Sequence, residues 1–105
     1  MGKTAILPDL NPNLAQLEAA LDQVWRERHR QMRLLAEGKI KCNCADPATP
    51  LEKAFLVLTE EFAESAIECN RIVENRRLRY GALRTELIQT AAVAVAMVEA
   101  LDARA

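Results

Sequence analysis

Glutamate side chains recur at helical spacing in two parts of the chain. Glu61 and Glu64 belong to the run Glu-Glu-Phe-Ala-Glu, and Glu86 is followed three residues later by Gln89. Residues three apart on a helix are neighbours, and like charges there are destabilising unless a cation or a basic partner lies between them. Magnesium is held by a few carboxylates while it keeps waters and binds phosphates. The pattern therefore indicates either a magnesium site or a solvated acidic face, which is also common on helices.

Both glutamate groups border the apolar face of the helix that carries them. Antiparallel packing of the two helices would bring Glu61 and Glu64 against Glu86. Glu60 falls nearly opposite the apolar face on a wheel of 100° per residue, which favours a place behind the metal ligands or at the surface over a ligand role. Glu68 extends the acidic flank by one turn and is an additional candidate ligand.

A long amphipathic helix precedes these two. Asn11 is a good N-cap, Pro12 suits the first helical position, and Gly38 marks the end. Apolar residues repeat along it at helical spacing, while Glu and Arg fill the other positions; they are Leu14, Leu17, Leu21, Val24, Trp25, Met32 and Leu35.

The second and third helices are delimited by turn and capping signals. Residues 38–49 predict a loop from their turn residues and an Asp-Pro step. The run 49–52, Thr-Pro-Leu-Glu, predicts a capping box with proline at the first helical position, and this helix should end near Val73. Residues 74–80 read as a charged connection, and a third helix is expected over 82–102.

The chain is expected to form one all-α domain over residues 1–105, with a loose arm at 1–10. A composition rich in Ala, Leu and Glu favours helices over strands. The segment from Ala91 to Val98 is apolar on every side, whereas a surface helix would show only a stripe. We therefore expect long helices packed as a bundle that is completed by oligomerisation, as a homodimer or homotetramer.

Charge and hydropathy exclude several classes of function. The net charge of -1 disfavours a nucleic-acid binder. No apolar run approaches the roughly 20 residues that span a bilayer, so no membrane partner is expected and a cytoplasmic location is predicted. Cys42, Cys44 and Cys69 are expected to be reduced, and with His29 they lack the usual spacing of a zinc site.

Two strings of the sequence resemble a known family. They are Leu-Val-Leu-Thr-Glu-Glu-Phe-Ala-Glu-Ser-Ala-Ile-Glu from Leu56 and Leu-Arg-Thr-Glu-Leu-Ile-Gln-Thr-Ala-Ala from Leu83. Together they resemble the MazG-like branch of the all-α nucleoside triphosphate pyrophosphohydrolases, in which Glu-Glu-x-x-Glu is followed some twenty residues later by Glu-x-x-Asp. Gln89 stands where that family has Asp, which removes one negative charge and should weaken metal affinity.

The resemblance implies an enzyme that hydrolyses a nucleoside triphosphate to the monophosphate and pyrophosphate with magnesium. The implied catalytic and metal-binding residues are Glu61, Glu64 and Glu86, with Gln89 as a further metal ligand. Arginine and lysine supply donors for phosphate oxygens, and Trp25 could stack on a base; the candidate cations are Arg28, Lys39, Lys41, Arg79 and Arg84. The alternatives are a non-catalytic helical interaction module and a nucleotide-binding pseudoenzyme of the same fold.

Overall fold

A computed structural model describes residues 13–104 of the chain, and this range contains three α-helices. They are α1, Leu14–Ala36, α2, Leu51–Glu74, and α3, Gly81–Arg104. No strand occurs in the described range, so the all-α prediction is confirmed. The arm at 1–10 and the expected cap at Asn11 and Pro12 lie outside the described residues.

A glycine ends α1, as the sequence predicts. Gly38 has a φ of +73°, a left-handed conformation that glycine adopts without steric cost. Its N–H donates to the carbonyl of Leu35, and the N–H of Lys39 donates to the carbonyl of Leu34. These two bonds form a Schellman motif, which satisfies carbonyls at the end of the helix and turns the chain into the 38–49 loop.

The predicted capping box at the start of α2 does not form. Pro50 occupies the N-cap position itself instead of the first helical position, and no side chain caps the helix. The hydroxyl of Thr49 donates instead to the carbonyl of Asn43 at 2.7 Å. The prediction was wrong because the helix begins one residue later than expected and the Thr49 side chain turns to the loop, where its hydroxyl fastens Asn43 and does not accept an N–H of the first turn.

The connection between α2 and α3 is not helical. Asn75 adopts an extended backbone after α2, and its side-chain oxygen accepts the N–H of Arg77 at 3.1 Å. Gly81 is the first residue of α3. A short turn of this kind places the two helices side by side and antiparallel.

Helix α3 is the centre of the fold, because it packs against both α1 and α2. The C-terminal end of α3 lies beside the start of α2, since Arg104 donates to the carbonyls of Pro47 and Thr49. Eight side chains of the described part of the chain are buried; most of them are small, and five belong to α3. They are Cys44, Ala54, Ser65, Ala92, Val93, Ala96, Met97 and Ala100.

The apolar segment of α3 is buried on more than one side, as expected, and here the neighbours are α1 and α2 of the same chain. One strip of it stays open, because Val95 and Val98 are exposed. The three helices therefore leave apolar surface on α3 that they do not cover.

The described residues form a flat arrangement of 41 × 40 × 24 Å. The Cα radius of gyration is 16.0 Å, against about 13 Å for a compact domain of this length. Large apolar side chains such as Trp25 and Phe62 are 61% and 66% exposed. In the described part of the chain, no helix is long and apolar enough to cross a membrane.

Candidate metal centre and adjoining cavity

Three glutamates from α2 and α3 meet at the interface between these helices. One carboxylate oxygen each of Glu61, Glu64 and Glu86 lies within 4.8 Å of the others. Glu61 and Glu86 are half-buried, and Glu64 is exposed. Antiparallel packing of α2 and α3 therefore brings these three carboxylates together, as the sequence predicts.

A pair of hydroxyl groups holds the two helices together beside this cluster. Ser65, one turn after Glu61, is buried, and its Oγ lies 3.1 Å from the Oγ1 of Thr90, one turn after Glu86. Each hydroxyl is also within hydrogen-bond distance of the main-chain carbonyl of its glutamate, at 3.1 Å for Ser65 and 2.7 Å for Thr90. The contact fixes the separation of the helices at the cluster.

Two carboxylate oxygens of the cluster are closed off from solvent and have no hydrogen-bond partner among residues 13–104. They are the Oε2 atoms of Glu61 and Glu86. Buried polar atoms in folded proteins are almost always paired, because an unpaired one retains the cost of its desolvation. A cation between these oxygens would supply the missing interaction.

The electrostatics of the cluster also favour a bound cation. Burial raises the pKa of Glu61 above its ordinary value of 4.5, and the negative charges of Glu64, Glu86, Glu27 and Glu60 raise it further. Burial, a hydrogen bond with the Glu64 carboxyl and the charges of Glu64 and Glu68 raise the pKa of Glu86. The cluster therefore concentrates acidic groups, and no basic side chain of residues 13–104 forms an ion pair with them.

The neighbouring candidates take different positions. Glu60 is exposed, as expected of a surface residue. Glu68 forms an ion pair with Arg71 at 3.4 Å and stands outside the group of three. Gln89 lies with Glu61 on the wall of a cavity, so its amide faces the same space as one member of the cluster.

This cavity has a volume of about 480 Å³ and opens between α1, the loop after it and the α2–α3 pair. Ligand sites for small molecules are typically about 300–1,000 Å³. Its apolar side includes Val57 and Val93, and its polar side includes Gln31, Asn43 and Gln89. The cavity meets the acidic cluster through Glu61.

Arg28 is at the cavity, but its guanidinium is already engaged. It donates to both carboxylate oxygens of Glu99, at 2.7 and 3.1 Å, and to the side-chain oxygen of Gln31 at 3.0 Å. Its side chain is only 11% exposed. In this conformation Arg28 ties α1 to α3, and a phosphate would have to compete with Glu99 for it.

The other predicted phosphate-binding residues are dispersed. Lys41 lines the cavity. Lys39 pairs with Glu37 at 3.1 Å, and Arg79 is exposed in the α2–α3 connection. Arg84 lines a separate apolar groove of about 370 Å³ beside Tyr80.

Trp25 is exposed on α1 and packs its ring on His29, with 4.0 Å between ring centroids. It does not belong to the residues that line the cavity. Within one chain it therefore fills neither a core nor a base-stacking position.

One acidic residue of the site was not anticipated from the sequence. Glu27 of α1 lines the cavity, its side chain is 12% exposed, and its charge contributes to the raised pKa of Glu61. Its nearest cation is Arg30, at 3.5 Å. Glu27 lies three residues after Val24, beside the apolar stripe of α1, and this spacing was the available signal in the sequence. Only the packing of α1 on α3 shows that Glu27 faces α2.

Cys42, Cys44 and Cys69 are free in the structure. No cysteine joins a metal-binding group of three side chains within residues 13–104. Comparisons with protein-family models, with curated proteins and with solved structures each gave no match to this chain. The geometry of the cluster and the motifs of the sequence are therefore the two observations that bear on function.

Proposed function

We propose that this protein is a magnesium-dependent nucleoside triphosphate pyrophosphohydrolase of the MazG-like type. The reaction would split the bond between the α and β phosphates and release a nucleoside monophosphate and pyrophosphate. The observation that carries the proposal is the meeting of Glu61, Glu64 and Glu86, with two of their oxygens buried and unpaired.

The donor set fits magnesium. All three ligands are carboxylates, and magnesium prefers a few carboxylate oxygens and completes its coordination with water and substrate phosphates. Glu64 is exposed, so the cluster is reachable from solvent. Magnesium bound there would neutralise phosphate oxygens and lower the pKa of a coordinated water.

The residues of the chain have separate roles in this proposal. Glu61 is half-buried and lines the cavity, which suits a carboxylate that would hold the metal next to the substrate phosphates. Gln89 offers an amide oxygen beside Glu61. Ser65 and Thr90 are positioning residues, because their contact holds α2 and α3 at the distance that makes the three carboxylates converge.

The adjoining cavity suits the remainder of a nucleotide. Its volume is in the range of small-molecule sites, and Lys41 lines it without an ion pair among residues 13–104. The side-chain amide nitrogens of Gln31 and Asn43 can donate to the edge of a base, while their oxygens already accept from Arg28 and from the N–H of Ala45.

We also propose that the chain forms at least a dimer. The radius of gyration exceeds that of a compact domain, and the exposed apolar side chains lie on all three helices, with Leu21, Phe55 and Val98 as examples. Pairing of such faces would complete a helical bundle and bury them. We expect light scattering to give at least the mass of a dimer at micromolar concentration.

A turnover assay tests the proposed reaction. Purified protein is incubated with a panel of ribo- and deoxyribonucleoside triphosphates and magnesium, and monophosphate and pyrophosphate are separated by ion exchange. The proposal predicts equal amounts of the two products from at least one substrate, and none when a chelator removes the metal. Release of diphosphate and inorganic phosphate would contradict cleavage at the α–β bond.

The second candidate function is a non-catalytic helical interaction module. The observation in its favour is the number of large apolar side chains that are exposed, sixteen within the described range 13–104. Magnesium binding separates the two candidates, since a module whose glutamates form a solvated face has no need of the metal. Magnesium and nucleotide binding without turnover would identify a pseudoenzyme.

A further inference from the structure

The loop between α1 and α2 carries two thiols that contact one another. Sγ of Cys42 lies 3.9 Å from Sγ of Cys44, and both are free. Both residues line the cavity that Glu61 and Gln89 also border. The nucleotide proposal gives these two side chains no role.

We propose that Cys42 and Cys44 form a reversible dithiol–disulfide pair on the wall of the cavity. The inference does not depend on the proposed hydrolase function, because it concerns only the two thiols and the loop that carries them. The oxidant is a small-molecule disulfide, of which oxidised glutathione is the probe used below.

The geometry permits the bond. Residues two apart in a chain have Cα atoms at most about 7 Å apart, which is near the upper limit that a disulfide bridges. The sulfurs must approach by roughly 1.9 Å, the difference between 3.9 Å and the length of a disulfide bond. The Sγ atoms are already within hydrogen-bond distance of one another, so the approach required is short.

The two thiols differ in access, and this difference sets the order of the steps. Cys42 is half-buried, whereas Cys44 is buried against Ala54, Val93 and Ala96. Burial raises the pKa of Cys44 to about 11, with a further contribution from Cys42. Cys42 is therefore the thiol that meets an external disulfide first, and Cys44 is the thiol that resolves the adduct.

The exchange balances in two steps. The Cys42 thiolate attacks one sulfur of the small disulfide, forms a mixed disulfide and releases one small thiol. Cys44 then loses its proton, attacks Sγ of Cys42 and releases the second small thiol. The two cysteines lose two electrons and two protons, and the small disulfide gains both, becoming two thiols.

Closure of the bond changes the wall of the cavity. The sulfurs can meet only if Cys44 leaves part of its contact with the core or Cys42 moves across the loop. Either movement displaces Lys41 and Asn43, which flank Cys42 and line the same cavity. Oxidation would thus alter the space beside Glu61.

The test uses a Cys69→Ser background, because Cys69 is exposed on α2 and would take up glutathione by itself. This protein is treated with oxidised glutathione and analysed by intact mass and thiol titration. We expect loss of both thiols and of two hydrogen atoms in mass, no retained glutathione, and full recovery with a reductant. Hydrogen exchange should change in residues 39–45 and not around position 69.

Two variants in the same background identify the partners. Cys44→Ala keeps a small apolar side chain in the core and should retain glutathione on Cys42. Cys42→Ser should leave Cys44 largely unmodified, because Cys44 is buried. A glutathione adduct that persists on Cys42 while Cys44 is present, or a disulfide between two chains, would overturn the proposal.

Discussion

The interface between α2 and α3 contains two polar groups that lie close together and differ in how they are satisfied. Ser65 and Thr90 lie 3.1 Å apart, so that one hydroxyl can donate to the other while the second donates to the main-chain carbonyl of the glutamate one turn earlier on its own helix. Glu61 and Glu86, one turn earlier on the same helices, each bury an oxygen without a partner. The hydroxyl pair is complete as a structural contact, whereas the carboxylates leave an interaction open.

This difference distinguishes polar groups that stabilise the fold from polar groups that serve a ligand or a reaction. A fully satisfied buried contact stabilises a helix pair and needs nothing else. A cluster of carboxylates with raised pKa values carries a cost in the folded state, and such clusters occur where a ligand or a reaction uses them. Removal of a hydroxyl of the pair should therefore lower stability. Removal of a carboxylate of the cluster should lower activity without lowering stability.

The largest effect is expected from the carboxylates. Glu61→Gln, Glu64→Gln and Glu86→Gln should each lower magnesium-dependent hydrolysis at least about 100-fold, because each takes a ligand from the metal. Each should also leave the fold intact or slightly more stable without metal, because repulsion is relieved. Steady-state kinetics and thermal melting with a chelator measure the two effects, with Glu60→Gln as the exposed control.

The next effect concerns the residue that departs from the family pattern. Gln89→Asp adds a negative charge near Glu61 and should lower the magnesium concentration for half-maximal rate by about 3- to 10-fold, since a carboxylate binds magnesium more tightly than an amide. The metal-free variant should melt at a lower temperature than wild type. A magnesium titration of the initial rate measures the change, and an unchanged requirement would place Gln89 outside the metal site.

The pH dependence of stability follows from the raised pKa values. A carboxyl whose pKa is higher in the folded state contributes stability that is complete below its ordinary value of 4.5 and is lost as pH rises through the raised value. Without metal, the contribution of Glu61 and Glu86 to the free energy of unfolding should therefore fall above pH 4.5. Urea unfolding at several pH values tests this, and Glu61→Gln should show a smaller fall than wild type.

The smallest effect is expected at the hydroxyl pair. Ser65→Ala should lower the free energy of unfolding by about 1 kcal/mol, the usual contribution of one hydrogen bond. Thr59→Ala is the matched control, because its hydroxyl donates to the carbonyl of Phe55 on the exposed side of the same helix. An equal loss in both variants would mean that the contact between Ser65 and Thr90 adds nothing to helix pairing.

Much of the architecture could be predicted from the sequence, because periodicity and glycine are local signals. The end of α1 at Gly38 and the antiparallel order of α2 and α3 needed no tertiary information. The prediction of a capping box was wrong because the side chain of Thr49 turns to the loop and bonds to the carbonyl of Asn43. That choice depends on how the loop folds, which the local sequence does not specify.

The candidate site was predictable to the same degree. Glu61, Glu64 and Glu86 could be placed together because two helical spacings and one packing direction suffice to do so. Glu27 was missed, since its position depends on how α1 crosses the other two helices. The engagement of Arg28 by Glu99 joins residues 71 apart in sequence and could not be read from spacing.

The most direct test of the account is magnesium binding measured by calorimetry in the absence of nucleotide. Wild-type protein, Glu60→Gln and the three cluster variants are titrated at neutral pH, where the metal must compete only with protons on the cluster. The account predicts saturable binding to wild type and to Glu60→Gln, and binding at least about tenfold weaker in Glu61→Gln, Glu64→Gln and Glu86→Gln. Equal binding by all five proteins, or none by wild type, would contradict it and leave the carboxylates as a solvated face.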